Sequence, residues 1–393
     1  MDLTLSGTAF LQKLQSVSRA QPYRGINLQG DVELHVYGSG AVLISREADT
    51  WARRALSAAV ARTGSVCFPG RAVVALLEGM GGSLRILRED HVVRFESSNG
   101  RAVEIPTGTP PERREPPVLR DAHLTVPLQA LMRGFRQVVH AQGRRVDSLS
   151  WSRGVHLLDT AEGLRLTACD GFRLASVVIP KLGTSVFECS LPHPGVILTS
   201  HGPGVILDLL HALDEEGEAL VDIEEIHGSA LLFKGRNNDK DRVGVGLLMV
   251  TWPKPAEPGT PPAVPDLRCD AERFRQEINY VLGSRSSERS DPTIELRYTP
   301  LSAGKGTLKV SRQEEATGVK TEASLTVDGA SKPFYCQGNG TFLATALRGF
   351  RFDDKTVSVK LGADPRNHHN PRRKILQLYT PELRHLCEVG VTA

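Results

Sequence analysis

The residues best placed to do chemistry in this sequence lie in one short turn, Asp170-Gly171-Phe172-Arg173. Two runs of nearly alternating apolar residues, 164–169 and 172–179, flank it, and an Asp-Gly dipeptide accepts the positive φ of a tight turn, so the segment predicts a β-hairpin. The Asp170 carboxylate can cap the turn amides while the Arg173 guanidinium is held by a carbonyl or an acid, and we expect this structural role for Asp170. The same side chains can instead form the wall of a binding site.

Motifs with catalytic spacing are absent from the sequence. It has no G-x-x-x-x-G-K-[ST], G-x-S-x-G or H-E-x-x-H segment, and Gly202-Pro203-Gly204 lacks a third phosphate-binding glycine. The pair His368-His369 lies in a polar stretch without acidic or cysteine ligands at helical spacing, which indicates a loop rather than a metal site. The pair Asp353-Asp354 precedes a predicted strand and fits a turn. We therefore predict a protein that is not an enzyme, with no cofactor and no metal.

Length and composition are typical of a soluble protein with several domains. The chain has 393 residues, 40% hydrophobic and 24% charged, with a formal net charge of only +3. Six widely spaced cysteines without a C-x-x-C pair argue against a zinc site or a disulfide framework and indicate a reducing compartment. No apolar run approaches the roughly 18 residues of a membrane span, and no leader segment is evident. We expect a cytoplasmic protein with no membrane association.

The order of predicted elements repeats three times along the chain. Each block reads helix, strands, helix, strands over about 115 to 140 residues. Amphipathic helices are predicted near residues 10–17, 69–77, 128–139, 203–213, 270–283 and 342–350. Proline-rich stretches mark the edges of the blocks, so we predict domains at 1–118, 119–253 and 254–393. Short connections between strands imply antiparallel sheets with two helices per block on one side, which is an α+β fold.

The turn segment resembles a signature of a known family. Residues Ala168 to Ala175 are similar to the Ala-Thr-Asp-Gly-x-Arg-Leu-Ala motif in the middle domain of the bacterial DNA polymerase III β sliding clamp, with Cys169 in place of Thr and Phe172 at the variable position. The helix Leu11 to Ser18 also resembles the family's opening Leu-x-x-Leu-Gln-x-Val-Ser. The resemblance covers most of the chain and identifies a divergent member of the DNA clamp family.

Other segments depart from the family's pattern. Gly283-Ser284 replaces an apolar pair that clamps commonly use for ring closure, and Arg46 to Asp49 replaces a Thr-Asp-Leu-Glu segment. The run Leu376 to Pro381 resembles the family's last strand, which ends in Met-Pro. We therefore expect the final strand to lie at 374–379 and residues 382–393 to extend beyond it.

The resemblance implies a fold, partners and a function. Three tandem domains of like DNA-clamp fold would form a ring as a homodimer around double-stranded DNA, without sequence preference. The protein would be a non-catalytic processivity factor at the nucleoid, tethering replicative and repair polymerases and meeting clamp-loader subunits through short hydrophobic peptide motifs. The alternative is a clamp-like scaffold, or a resistance or immunity copy that binds a protein or an inhibitor without supporting processive replication.

The resemblance also implies a peptide-binding pocket that includes the Asp-Gly turn. Apolar surface left in water costs about 25 cal/mol per Å², so we expect an exposed lining that a partner covers. By match to the motif, the lining residues are Cys169, Gly171, Phe172, Arg173, Leu174, Trp252, Pro253, Leu378, Tyr379, Thr380 and Pro381.

Sliding on DNA requires cations that attract phosphates without binding bases. Basic residues recur in corresponding helices of the three blocks, whereas any single one could be an ordinary solvated charge. The predicted DNA-binding residues are Lys13, Arg19, Arg24, Arg71, Arg133, Arg136, Arg144, Arg145, Arg273, Arg275, Arg348 and Arg351.

Overall fold

The computed structural model describes most of the chain. The described residues are 1–19, 32–47, 50–107, 124–143, 150–182, 195–226, 230–237, 240–248, 265–283, 292–301, 304–314, 318–329, 332–350, 356–363, 372–380 and 385–392. The predicted domain boundaries, after residues 118 and 253, fall outside these ranges and stay predictions. Among the described helices, none is long and apolar enough to cross a membrane.

The first block begins with a strand that leads directly into a capped helix. Its elements are β1 (Asp2–Ser6), α1 (Gly7–Ser18), β2 (Val32–Tyr37), β3 (Gly40–Glu47), β4 (Thr50–Leu56), β5 (Ala59–Arg62), β6 (Gly64–Phe68), α2 (Gly70–Leu77), β7 (Ser83–Glu89), β8 (Val92–Ser97) and β9 (Ala102–Pro106). The Ser6 hydroxyl accepts a hydrogen bond from the Ala9 N–H at 3.4 Å and caps α1. β4 and β5 are separate strands in different sheets, although the sequence is nearly continuous between them.

The second block repeats this order. Its elements are β10 (Leu124–Pro127), α3 (Leu128–Val138), β11 (Val155–Thr160), β12 (Gly163–Cys169), β13 (Arg173–Ile179), β14 (Val196–Leu198), α4 (Gly202–Glu215), β15 (Leu220–Ile226), β16 (Ala230–Gly235) and β17 (Arg242–Gly246), with 3-10 turns at Val139–Ala141 and Ser150–Arg153. Gly134 lets α3 approach the hairpin, since a Cβ at this position would lie 2.7 Å from the Leu166 side chain. The predicted hairpin at 164–179 is confirmed as β12 and β13.

The third block ends in a strand that the sequence pattern did not predict. Its elements are β18 (Leu267–Asp270), α5 (Ala271–Leu282), β19 (Thr293–Pro300), β20 (Lys305–Gln313), β21 (Lys320–Gly329), β22 (Phe334–Asn339), α6 (Gly340–Phe350), β23 (Thr356–Ala363), β24 (Arg373–Tyr379) and β25 (His385–Thr392). Three strands follow the second helix in every block, so the expectation that 374–379 is the last strand was wrong. β25 completes the third set.

The residues group into two compact units by their internal contacts. The first comprises Met1–Met132, Lys181–Leu191 and Leu198–Met249. It contains a five-stranded sheet in the order β5-β1-β7-β8-β9 and an eight-stranded sheet in the order β10-β15-β16-β17-β4-β3-β2-β6. β17 of the second block pairs with β4 of the first block through Val243 and Ala52, so one antiparallel sheet includes strands of both blocks. Its core includes Phe68 and Phe95, whose rings meet edge to face at 5.7 Å.

The second unit comprises Arg133–Pro180, Pro192–Ile197 and Val250–Ala393. Its sheet has the order β14-β11-β12-β13-β25-β22-β19-β20-β21-β18-β23-β24, and β24 also pairs with β25. Because β25 pairs with both β22 and β24, the eight strands from β18 to β25 form one closed sheet. β13 joins them at β25, where Arg173 pairs with Val389. This junction places the Asp-Gly turn beside the carboxyl end of β25.

Candidate functional site

The turn between β12 and β13 is fixed by its own side chains. One carboxylate oxygen of Asp170 accepts hydrogen bonds from the backbone N–H groups of Phe172 at 2.9 Å and Arg173 at 2.7 Å. The other oxygen accepts from Arg173 Nε at 2.9 Å and Nη2 at 2.7 Å. The Asp170 N–H donates to the Arg173 carbonyl at 3.1 Å and closes the hairpin. Asp170 thus has the structural role that its residue type predicted.

The Arg173 guanidinium is held from a second side by an aromatic ring. Its Cζ lies 4.0 Å from the centroid of the Phe342 ring, on α6. Arg173 is only 9% exposed. A buried guanidinium that is both ion-paired and stacked on a ring is firmly placed. Arg173 therefore supports the turn more than it offers a charge to a ligand.

The tip of the turn, in contrast, is open to solvent. Gly171 has φ of +90°, a conformation that favours glycine, and nothing lies within 4 Å of the position of a Cβ. The Phe172 side chain is 58% exposed. Its carbonyl accepts a hydrogen bond from the Gly390 N–H at 2.8 Å, which ties the tip to β25. An exposed aromatic side chain on an anchored backbone is well suited to contact a partner.

Phe172 is exposed, whereas most of the other predicted pocket residues that the structure describes are buried. Cys169, Leu174, Leu378, Tyr379 and Thr380 are each 3% exposed or less. These side chains are packed inside the unit, and their assignment to a peptide-binding pocket stays a prediction. Trp252, Pro253 and Pro381 lie outside the described residues. Among the predicted pocket residues that the structure describes, Gly171 and Phe172 are the exposed ones.

The register of the strands divides the predicted pocket further. Leu174 pairs with Glu388, and Glu388 pairs with Gln377, so these side chains share one face of the sheet. Leu378 pairs with Cys387, two residues from the Val389 that pairs with Arg173. Since successive side chains alternate between faces, Leu378 and Arg173 lie on the opposite face from Leu174. Tyr379 is on the Leu174 face.

Three residues that contact the turn were not among the predicted site residues. Phe342 stacks on Arg173, Arg373 Cζ lies 5.7 Å from the centroid of the Phe172 ring, and Gly390 bonds to the turn. The repeat of the blocks contained a signal for Gly390. Three strands follow the second helix in each of the first two blocks, so the third block should also have a third strand, and that strand is β25, which contains Gly390. The contacts of Phe342 and Arg373 depend on tertiary packing and have no local signal.

The predicted DNA-binding residues of the first block are largely engaged with acids. Lys13 Nζ lies 2.9 Å from Glu216 Oε1 and 3.3 Å from Asp241 Oδ2. Arg19 Nη1 lies 2.6 Å from Asp208 Oδ1, and Arg71 Nε donates to the Ser18 carbonyl at 3.4 Å. Burial raises the pKa of Asp208, although Arg19 acts in the opposite direction. These ion pairs offset part of the positive charge on and beside α1.

A fully buried arginine supports this side of α1. Arg54 is 0% exposed and donates to Ser16 Oγ at 2.9 and 3.2 Å and to the carbonyls of Arg53 and Arg242. Burial lowers the pKa of Arg54, and the nearby Asp241 carboxylate opposes that shift. Asp241 is 1% exposed and accepts from the Ala55 N–H at 2.6 Å. The charges around Lys13 thus belong to a packed structural network.

Charge differs sharply between the other helices. α3 carries Arg133 and Arg136 and contains no acidic residue, whereas α4 carries Asp208, Asp214 and Glu215 without any lysine or arginine. Both arginines of α3 are half-buried.

The predicted DNA-binding arginines of the third block differ in their surroundings. Arg273 and Arg348 are exposed, whereas Arg275 Nε donates a hydrogen bond to Glu272 Oε2 at 2.9 Å. Arg24, Arg144, Arg145 and Arg351 lie outside the described residues. The arrangement favours α3 as the most cationic helix.

The described residues contain no group of three or more His, Cys, Asp or Glu placed to hold a metal ion. Five of the cysteines are described, and each is buried and outside any disulfide: Cys67, Cys169, Cys269, Cys336 and Cys387. Burial raises the pKa of Cys269 and of Cys336 to about 12, so these thiols are unreactive at neutral pH.

No protein-family model matches the sequence, and no curated protein matches it. Solved structures match over 100% of this chain. The β subunit of the DNA polymerase of Streptococcus pyogenes aligns with a TM-score of 0.79 at 13% identity over 100% of its chain. DNA polymerase III subunit β from Pseudomonas aeruginosa aligns with a TM-score of 0.75 at 16% identity over 100% of its chain. The DnaN sliding clamp from Bartonella birtlesii bound to griselimycin aligns with a TM-score of 0.77 at 15% identity over 99% of its chain.

These comparisons confirm the predicted fold. The chain has the three-domain α+β architecture of the DNA polymerase III β sliding clamps, with antiparallel sheets and two helices in each block. The identities of 13 to 16% agree with the divergence expected from the altered motifs.

Proposed function

We propose that this protein is a DNA sliding clamp, a processivity factor that encircles duplex DNA as a homodimer and tethers replicative and repair polymerases. The observation that carries the proposal is the alignment of the whole chain with the whole length of β subunit clamps. Such a protein is not an enzyme and needs no cofactor. Its place of action would be the cytoplasm, at the nucleoid.

The proposed DNA contact is electrostatic and independent of sequence. Arg133 and Arg136 on α3, together with exposed Arg273 and Arg348, would attract phosphates by long-range charge. The ion pairs of Lys13 and Arg19 make these two residues weaker contributors. We therefore expect the protein to hold DNA loosely, which suits movement along a duplex.

The proposed protein contact is a short hydrophobic peptide motif at the turn tip. Phe172 supplies exposed aromatic surface on a backbone that Asp170 and Gly390 hold in place. Preorganised aromatic anchors lose little conformational entropy on binding and often dominate the affinity of an interface. Clamp-loader subunits and polymerases are the partners we propose for this surface.

The topological link to DNA is the decisive property to test. The protein would be incubated with a nicked circular plasmid in the presence of a clamp loader, and the DNA then isolated by gel filtration. A ring stays on the circle and slides off after a restriction enzyme linearises it. Equal retention on circular and linear DNA, or none on either, would contradict the proposal. A linear plasmid blocked at both ends serves as the control for sliding.

The charge pattern of the helices favours a second function. α4 carries three acidic residues and no lysine or arginine, and two predicted DNA-binding cations are paired with acids. This charge pattern suits a clamp-like scaffold, or a resistance copy that binds a protein or inhibitor without supporting replication. The same plasmid assay separates the two functions, because a scaffold gives no retention that depends on circular DNA.

A further inference from the structure

The exposed Phe172 has a cationic neighbour on β24. Arg373 Cζ lies 5.7 Å from the centroid of the Phe172 ring, within the range of a cation–π contact. Its Nη2 also approaches the Gly171 carbonyl at 3.4 Å, a long hydrogen bond. Arg373 is half-buried rather than covered. The ring and the guanidinium therefore form one mixed surface at the turn tip.

Gly390 makes this contact across β25 possible. Arg373 pairs with Thr392 on β25, while β13 pairs with the other side of β25 up to Val389. The Arg373 side chain therefore passes over β25 to reach the turn. A Cβ at Gly390 would lie 3.2 Å from the Phe172 carbonyl oxygen and 3.9 Å from Arg373 Nη2. The missing side chain leaves the path of the arginine open.

Two carboxylates close to the turn, those of Asp170 and Glu388, make structural contacts. Both oxygens of Asp170 accept hydrogen bonds from the turn and from Arg173. Glu388 is 1% exposed and accepts from Gln377 Nε2 at 2.9 Å. β24 meanwhile begins after Arg372 and continues with Arg373 and Lys374. Arg373 thus places a cation beside the exposed ring.

We propose that Phe172 and Arg373 form a specificity-determining pair that selects protein segments in which a carboxylate flanks the apolar anchor. The inference rests on the proposed peptide-binding function and names the class of its partner. Phe172 contacts the apolar side chain, and the Arg373 guanidinium donates two parallel hydrogen bonds to the acid, for which its planar shape is suited. Phe172 supplies affinity and Arg373 supplies selectivity.

Fluorescence polarisation with synthetic peptides tests this pair. The probes are labelled peptides with a common Leu-Leu-Phe anchor and one Glu at each flanking position in turn, matched with peptides that carry Gln instead. The full-length wild-type chain should bind the best Glu peptide about fivefold more tightly than its Gln match at low salt, and the ratio should fall as salt rises. R373Q should reduce the ratio to near one.

Two further variants separate charge from packing. R372Q removes a neighbouring positive charge and should leave most of the ratio, whereas F172A should weaken both peptides and keep the ratio. Thermal melts confirm that every variant folds. Equal binding of Glu and Gln peptides by the wild type, or an unchanged ratio in R373Q, would overturn the inference while peptide binding itself stands. If the wild type binds no peptide at all, the proposed peptide-binding function fails and this inference fails with it.

Discussion

The Arg173 guanidinium on β13 lies with its Cζ 4.0 Å from the centre of the Phe342 ring on α6. The Nε and Nη2 atoms of the same guanidinium donate hydrogen bonds to the Asp170 carboxylate. Arg173 thus links α6 to the turn, and the position of the turn depends on how α6 is packed. The exposed tip at Phe172 is therefore positioned by buried neighbours rather than by its own contacts alone.

Removing the turn carboxylate should be costly for stability. Asp170→Ala leaves the Arg173 guanidinium buried without its acid and removes the acceptor for two backbone N–H groups. We expect a loss of about 3 kcal/mol in the free energy of unfolding. Urea denaturation followed by circular dichroism measures it. Glu162→Ala, at an exposed position between β11 and β12, is the matched control and should change stability by less than about 0.5 kcal/mol. Similar losses in both variants would contradict this role of the carboxylate.

Alanine at Gly134 should destabilise the protein even though alanine is the better helix former. Its Cβ would lie 2.7 Å from Leu166 Cδ1 and 3.1 Å from Ile179 Cγ2, so these two buried side chains would have to move within a packed core. We expect a loss of about 1 to 3 kcal/mol. Gly204 on α4 has nothing within 4 Å of its Cβ position, and Gly204→Ala should stabilise by up to about 1 kcal/mol. Thermal melts that shift both variants in the same direction would refute the proposed effect of close packing at Gly134.

Local patterns were sufficient to predict much of the fold. The Asp-Gly dipeptide between alternating apolar runs located β12 and β13, and helical periodicity located all six described α-helices. β25 was missed because Glu388 and Gly390 interrupt its apolar pattern, and a strand paired on both edges can carry such residues inside a sheet. Short strands such as β10, with four residues, offer too little periodicity to detect.

The candidate site was harder to predict than the fold. The motif pointed to Phe172, which is exposed, but burial of Leu378 and its position on the opposite face from Leu174 depend on the register with β25. The ion pairs of Lys13 join residues 203 and 228 positions apart in the chain. Neither the spacing of residues nor the composition of the chain reveals such distant partners, so the sequence alone did not show that Lys13 is paired with two acids.

Stability in the second unit should fall as the pH is lowered because of His385. Burial and the nearby His140 lower the pKa of His385 from 6.5 to about 3. The unfolded chain therefore binds the proton more readily, and the contribution of His385 to stability, complete above pH 6.5, is lost as the pH falls from 6.5 towards 3. Between about pH 7 and pH 5 we expect a loss of about 2 kcal/mol.

The variant His385→Phe isolates this effect. His385 stacks on Phe350 with centroids 4.2 Å apart, so phenylalanine preserves the ring contact without the proton-binding group. The difference in free energy of unfolding between about pH 7 and pH 5 should shrink by about 2 kcal/mol in the variant. An unchanged difference would show that other groups carry the pH dependence.

Charge removal on α3 should weaken DNA binding and also reduce its dependence on salt. The double variant Arg133→Gln and Arg136→Gln removes both cations of a helix that contains no acid. If each contacts a phosphate, the slope of log K against log salt should become shallower by about 2, at roughly 0.9 per contact. Lys13→Gln is the matched control, because Lys13 is already paired with Glu216 and Asp241 and should change the slope little. Fluorescence anisotropy with a labelled duplex between about 50 and 200 mM salt measures the slopes. A larger change in the Lys13 variant than in the α3 variant would assign the DNA-binding surface to α1 instead.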